Sequence, residues 1–281
     1  MPSVERLATV DAFLDAAGTF LVAREAEHNL ILGICSNLQL GIRPSTTDEA
    51  DFLVVREAEQ VVLAAIRTPP YNLVLSEVDQ GDALPALAEA LAGSDQVGVI
   101  GPTGHAGSFA QHWCAEAGRT PILQLRERIF ELTAVRPPPD SPSGRLRIAG
   151  SEDRDLVFDW FRAFALEALP AGAPPVPAEL IDRRIAVGTV YLWEDGGPVS
   201  LTVVGSRTPH GARIGPVYTP PERRRRGYAS ACVAGASRAQ LDAGRTFVFL
   251  FTDLANPTSN RIYQEIGYEP IRDIDSWRFE A

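Results

Sequence analysis

A chain of 281 residues with 45% hydrophobic content can bury one large core or two ordinary ones, and its length favours two domains. Its formal net charge of −10 argues against nucleic acid as a partner for the molecule as a whole and makes cationic small molecules easier to accept than anionic ones. No apolar run approaches a membrane span, and an N-terminus bearing Glu5, Arg6 and Asp11 lacks a secretion signal pattern, so a cytoplasmic protein without a membrane partner is expected. Cys35, Cys114 and Cys232 sit in apolar contexts without metal-ligand spacing, as reduced core thiols do.

Residues 1–45 read as helical. Asp11 can cap a segment carrying Phe13, Leu14, Phe20, Leu21 and Val22, weakened by Gly18, and a second apolar segment covers 29–40. The pattern then turns to strands: 51–55 and 61–66 form a hairpin and 71–75 a third strand. A short helix over 84–91, a buried strand over 97–100, a helix over 108–117 ended by Gly118 and a closing strand over 123–132 follow. The proline-rich stretch 137–144 cannot continue a helix or a central strand, which makes it a linker between a domain at 1–136 and another at 145–281. Beyond it, 145–148 reads as a strand, and Ser151, Glu152 and Asp153 cap a helix bearing Leu156, Val157, Trp160, Phe161 and Phe164. A proline-rich loop at 170–177, a helix over 179–187 and a hairpin of 189–193 with 199–204 across Asp195, Gly196 and Gly197 come next.

The stretch 214–243 reads as a strand, a tight arginine-rich loop and a long helix. Ile214, Val217 and Tyr218 suit a strand, Pro220 and Pro221 end it, and 228–241 runs through small and apolar residues without proline. The loop therefore lies at a helix N-terminus, where backbone N–H groups lack intrahelical acceptors and Gly227 lets the chain turn closely. Those donors, the helix dipole and Arg223, Arg224, Arg225 and Arg226 make an anion site suited to phosphate or pyrophosphate. A basic solvated turn is the plainer reading, and the interleaved aromatics that a nucleic-acid contact requires are absent. A buried strand over 247–253 opens a final β-α-β-β block.

Arg224-Arg225-Arg226-Gly227-Tyr228-Ala229 resembles the (Gln/Arg)-x-x-Gly-x-(Gly/Ala) pyrophosphate loop of the GCN5-related N-acetyltransferases, the GNAT family, and 217–222 resembles that family's fourth strand. The strand 247–253 followed by Asn256, Asn260, Tyr263, Gly267 and Tyr268 is similar to its fifth strand and fourth helix. The resemblance covers the C-terminal half. It implies an α+β fold, a central, mostly antiparallel twisted sheet flanked by helices, with the fourth and fifth strands splayed to admit acetyl-coenzyme A. It also implies main-chain contacts to the pantetheine arm from Val217, Tyr218 and Thr219, pyrophosphate contacts from the hexapeptide, cofactor-side positions at Asn256 and Asn260, and Tyr263 as the acid that protonates the departing sulfur. One departure concerns the general base, because the fourth strand has no acid between Arg213 and Pro221. Asp253, at the end of the fifth strand, is the nearest candidate, with capping of the next helix as its alternative role; Glu194 and Asp195 lie in a turn, and Glu265 reads as a solvated face residue.

The two halves rhyme. Gly118 and Gly267 are 149 residues apart, and at that offset 97–100 lies under 246–249. Upstream the offset falls to 140, where Arg67-Thr68-Pro69 meets Arg207-Thr208-Pro209. The shortening falls where the arginine loop and its helix belong; Glu77, Asp79 and Asp82 stand there and would repel a pyrophosphate. Cys114 takes the place of Tyr263, and Gly107 and Gln111 those of Asn256 and Asn260. The N-terminal domain is thus expected to be a degenerate GNAT-like copy that has lost its ligand site.

The expected activity is acetyl transfer from acetyl-coenzyme A to the amine of a small-molecule acceptor, with the N-terminal copy shaping the acceptor cleft. The alternatives are an acyl-coenzyme A sensor without turnover and a protein or peptide acetyltransferase that docks its substrate on the N-terminal domain. All 26 basic residues are arginine, so the chain has no lysine of its own to modify. An intramolecular pseudo-dimer that leaves the chain monomeric is expected, with a homodimer as the alternative.

Overall fold

The computed structural model describes residues 2–41, 50–78, 82–138, 142–168 and 176–280. The first half runs β1 (Ser3–Leu7), α1 (Val10–Val22), α2 (Asn29–Gln39), β2 (Asp51–Glu57), β3 (Gln60–Arg67), β4 (Leu73–Leu75), α3 (Ala83–Ala90), β5 (Gly98–Pro102), α4 (His105–Ala117) and β6 (Thr120–Leu132). The second repeats that order with β7 (Arg145–Ile148), α5 (Arg154–Ala168), α6 (Ala178–Ala186), β8 (Val190–Glu194), β9 (Pro198–Arg207), β10 (Gly211–Tyr218), α7 (Tyr228–Asp242), β11 (Phe247–Asp253), α8 (Pro257–Glu265) and β12 (Glu269–Glu280). The first residues of β5 and β11, and of β6 and β12, are 149 apart, as the repeat requires.

Three local expectations are corrected. Residues 1–45 are not wholly helical: Ser3–Leu7 is a strand paired with β2, and its charged Glu5 and Arg6 point to solvent, which removes the apolar alternation that would mark it. Thr9, not Asp11, caps α1, its hydroxyl accepting from the Ala12 N–H at 3.1 Å. The chain ends in one long strand rather than two, because β12 continues through register shifts at Pro270/Arg272 and Ser276/Trp277. Most of the expected loop at 170–177 and part of the linker lie outside the described residues.

The strands form one sheet in the order β1-β2-β3-β4-β5-β12-β6-β11-β10-β9-β8-β7, parallel only at β4–β5 and β10–β11. The closing strands are exchanged: β6 pairs with β11 and β12 with β5, while β6 and β12 pair with each other. Each half completes the other's core. Phe130 and Leu132 of β6 pack with Val248, Leu250 and Ile266, and Phe279 of β12 stacks on Trp113 with ring centroids 4.8 Å apart. At about 1.5–3 kcal/mol for each fully buried large side chain, these exchanged residues carry a sizeable share of either core.

Strand alternation sorts the helices into two layers. α1 and α2 cover Phe52, Val54, Ala64 and Ile66, whereas α3 and α4 cover Leu53, Val55, Leu63 and Ala65. In the second half α5 and α6 lie over Leu201 and Val203, and α7 and α8 over Val204, Ile214, Val248 and Leu250. A carboxylate links the halves at the end of β9: buried Glu25 accepts from Thr208 Oγ1 at 2.5 Å and from the His210 and Gly211 N–H groups at 2.7 and 3.1 Å. The three cysteines are free and buried. Among the described residues no helix is long and apolar enough to cross a membrane.

Candidate active site

Strands β10 and β11 pair only through Gly211↔Phe247, Ala212↔Val248 and Arg213↔Phe249. Beyond Arg213 they part. Residues 214–218 keep β9 along one edge, with register shifts on either side of Ile214, while their other edge has no strand partner. Unpaired backbone groups on a strand edge can take up an extended chain as though it were another strand. Val217 faces the α7–α8 core, and Tyr218 faces the α5–α6 layer, its ring 6.0 Å from that of Trp160. The Thr219 hydroxyl lies 2.9 Å from Ser200 Oγ.

The arginine loop follows at the open end of this slot. Gly227 is the N-cap of α7 with φ +77°, and Arg225 is also left-handed at +60°. The first helical bond is Ala231 N–H to Gly227 C=O, and among the described residues the N–H groups of 225–230 have no acceptor. This is the donor arrangement an anion needs. The arginines are not equivalent. Arg224 is tied down, donating to Thr219 C=O at 2.8 Å and Glu167 at 2.6 Å, whereas Arg225 is exposed and has no ion pair among the described residues. Tyr228 is buried and donates to Asp195 at 2.6 Å. That bond holds the Asp195 carboxyl below the usual carboxylate range and raises the Tyr228 phenol. Tyr228 and Ala229 therefore offer the slot their backbone rather than side chains.

Tyr263 lies on α8 in the same apolar cluster as Val217, edge-on to Tyr268 at 5.9 Å. Burial pushes its phenol up to about 12. Asn256 and Asn260 do local work: Asn256 caps α8 by accepting from Ser259 N–H at 3.1 Å, and Asn260 donates to the carbonyls of Asp253 and Asn256 at 3.0 and 2.8 Å. These bonds fix the turn that orients Tyr263. Asp253 does not cap α8; its side chain accepts from Ala255 N–H at 2.8 Å. Glu194 pairs with Arg145 and Arg147, and Glu265 with Arg261.

Three charged residues that the sequence does not single out lie on the opposite face of the parting strands. Arg213 alternates with Ala212 and Ile214 and so points to the α5–α6 side, its guanidinium 4.6 Å over the Phe251 ring. Glu127 of β6 sits directly across from Asp253. The last turn of α6 is held against β9 by Val204 N–H to Thr189 C=O at 2.8 Å and Thr189 N–H to Arg184 C=O at 3.0 Å, which brings Arg184 to the same face. The Nε atoms of Arg184 and Arg213 are buried without a hydrogen-bond partner, and among the described residues neither arginine nor Glu127 forms an ion pair. Burial pulls Arg184 and Arg213 down, with Arg213's charge adding to the effect on Arg184. Burial raises Glu127, Arg213 opposes the shift and Asp253 adds to it. No pattern in the sequence points to this group, because its members come from three separate elements, α6, β6 and β10.

Residues 200–277 match the family model described as FR47-like protein. Among solved structures, a Drosophila protein aligns with TM-score 0.65 at 15% identity over 99% of this chain and 98% of its own. A GCN5-related N-acetyltransferase from Sphaerobacter thermophilus aligns with TM-score 0.59 at 18% identity, covering 99% and 95% of the two chains. A tandem GNAT protein from the clavulanic acid biosynthesis pathway gives 0.56 at 16%, covering 99% and 98%. The fold is that of the GNAT acetyltransferases. A search of curated proteins finds no match. In this GNAT frame the residues present fit a coenzyme A thioester: bare amides at a helix N-terminus for its diphosphate, an unpaired strand edge for its amide-bearing arm, and an apolar cluster that holds Tyr263 beside Val217. An open cavity of about 560 Å³ lined by Arg145, Glu194, Asp195 and neighbouring glycines lies at the β8–β9 turn, away from Tyr263, and its acidic rim suits no phosphate.

Proposed function

We propose that the chain transfers an acetyl group from acetyl-coenzyme A to the amine of a small-molecule acceptor. The observation that carries this reading is the parting of β10 from β11 after Arg213, with bare loop amides at its mouth and Tyr263 inside. Backbone N–H groups of 225–230 would hold the diphosphate with help from Arg225 and Arg226, while the free edge of Val217, Tyr218 and Thr219 would pair with the pantetheine amides. Acetyl-coenzyme A supplies an activated acyl group on a sulfur leaving group. Tyr263 keeps its proton at neutral pH, since burial pushes its pKa up to about 12, and can deliver it to sulfur, whose own pKa rises in the same apolar surroundings. Asp253 is the base candidate on β11. Its side chain accepts one bond from the Ala255 N–H, which leaves its second oxygen available.

In this reading the second half is catalytic, and the first is a degenerate copy that walls the acceptor side as an internal pseudo-dimer partner, leaving a monomer in solution. The missing fourth-strand acid favours one rival, an acyl-coenzyme A sensor. Calorimetry with acetyl-coenzyme A, followed by free-thiol release over a panel of amines and peptides, tests the proposal. Micromolar binding with turnover on small amines is expected. Binding without any turnover selects the sensor, turnover on peptides alone selects a protein acetyltransferase, and no binding ends the coenzyme A reading.

A further inference from the structure

The proposal above leaves the acceptor unspecified, and the charges on the α5–α6 face of the parting strands narrow it. Arg184 and Arg213 each bury an Nε with nothing to donate to. Leaving a guanidinium desolvated and unpaired is costly, and the usual compensation is a carboxylate or phosphate that takes the fork in two hydrogen bonds. Among the described residues no carboxylate supplies it: neither Glu127 nor Asp253, both on the same face, forms an ion pair with either arginine. Nor is this the diphosphate site. Arg213 is five residues along β10 before Tyr218, about 16 Å at ~3.3 Å per residue, and the arginine loop lies further on. The pair also faces the layer of α5 and α6, opposite to the α7 N-terminus.

Glu127 completes the arrangement. It projects from β6, the strand the N-terminal half lends to the C-terminal sheet, and its charge acts on Arg213 of the fourth strand. On its face it meets Arg213 of β10 and Asp253 of β11, while β12 places Ile274 opposite it. Two arginines and two carboxylates, Glu127 and Asp253, none in an ion pair among the described residues and with the Phe251 ring under Arg213, are complementary to a small zwitterion. The arginines fit its carboxylate, the glutamate fits its amine, and the aromatic ring fits the carbon between.

Resting on the acetyl-transfer reading, we propose that the acceptor is a free amino acid or a similarly short amine bearing a carboxylate, that Arg184 and Arg213 hold the carboxylate, and that Glu127 of the N-terminal half, in place of Asp253, is the general base. The amine nitrogen, entering as the free base, bonds to the acyl carbon and gives one proton to the Glu127 carboxylate. The carbon–sulfur bond breaks with its electron pair going to sulfur, which takes the Tyr263 proton. Exchange with water restores both groups. The products are an N-acetylated acid and a free thiol.

The test compares the common amino acids with their amides and with simple alkylamines, using thiol release from acetyl-coenzyme A for turnover and calorimetry for binding to protein loaded with coenzyme A. At least one free amino acid should be acetylated with kcat/KM tenfold or more above its amide. Arg213→Met and Arg184→Met should raise its KM at least tenfold and abolish its calorimetric signal, while the Kd for acetyl-coenzyme A stays within twofold, which also shows that the variants are folded; Arg213→Lys should recover part of the loss. Glu127→Gln should lower kcat about a hundredfold and remove the acid limb of its pH profile, a limb set above the usual carboxylate range because burial and Asp253 raise Glu127. Amides or alkylamines turned over as well as amino acids, an unchanged KM in both arginine variants, or an acid limb that survives in Glu127→Gln would overturn this assignment and leave acetyl transfer standing. Failure of acetyl-coenzyme A to bind the wild type would overturn both.

Discussion

The two halves share an order of elements, and position by position they differ in the chemistry carried on that common frame. Where the second half has Tyr263, the first has Cys114, buried against α3 and β5. At the 140 and 149 offsets, Leu73 stands for Arg213 and Pro102 for Phe251, both buried and neither charged. The eight residues of α3, N-capped by Asp82, replace the fifteen of α7, N-capped by Gly227. The core positions have kept their apolar character because each half needs them to bury its sheet. The first half has not become inert, however: by lending β6 it supplies Phe130 and Leu132 to the other core and sets Glu127 opposite Asp253.

The severest way to break the comparison is to separate the halves. A chain beginning at Arg145 lacks β6 and with it about 3–6 kcal/mol of apolar burial from Phe130 and Leu132, a large part of a typical domain's stability of about 5–15 kcal/mol. It should fail to melt cooperatively by calorimetry, and an independently folded fragment would show the strand exchange to be dispensable. Tyr263→Phe in the full chain should lower kcat by about ten- to a thousandfold with the Kd for acetyl-coenzyme A unchanged; an unaltered kcat would return Tyr263 to a packing role.

The contact between halves gives a smaller effect with a defined pH dependence. Burial pulls Glu25 up, but the bonds from Thr208 and His210 and the His210 charge outweigh it, leaving the carboxyl below its usual value. A carboxylate whose pKa is depressed on folding contributes stability that is complete above its unfolded value, about 4.3, and disappears as pH falls through the lower folded value. Glu25→Gln should therefore cost about 2 kcal/mol at pH 7, and the difference from wild type in urea titrations should close below pH 4. The mildest change is Gly227→Val. A β-branched residue at φ +77° costs about 1–2 kcal/mol, so acetyl-coenzyme A should bind about tenfold more weakly; unchanged affinity would mean that the loop does not hold the ligand through this turn.

Much of this protein was legible as local pattern. The hairpin at Asp195-Gly196-Gly197, the strand Phe247–Asp253 and the left-handed Gly118 closing α4 all follow from periodicity and turn chemistry. The arginine loop precedes a helix, α7, as the pattern of 214–243 implies, and Tyr263 lies on the helix that follows β11. What failed was also local in cause: β1 hid because a charged edge strand has no apolar alternation, and Asn256 displaced Asp253 as the cap because it sits immediately before the first turn.

The amino-acid order alone determined the repeated elements, the arginine-rich loop before α7 and the place of Tyr263 on α8, because each depends on residues within a few turns of one another. Only the folded chain decided that the closing strands are exchanged and that Arg184, Arg213 and Glu127 meet. Their shared face is set by the register of β6, β11 and β10 and by the layering of α6, long-range pairings that no stretch of sequence states by itself.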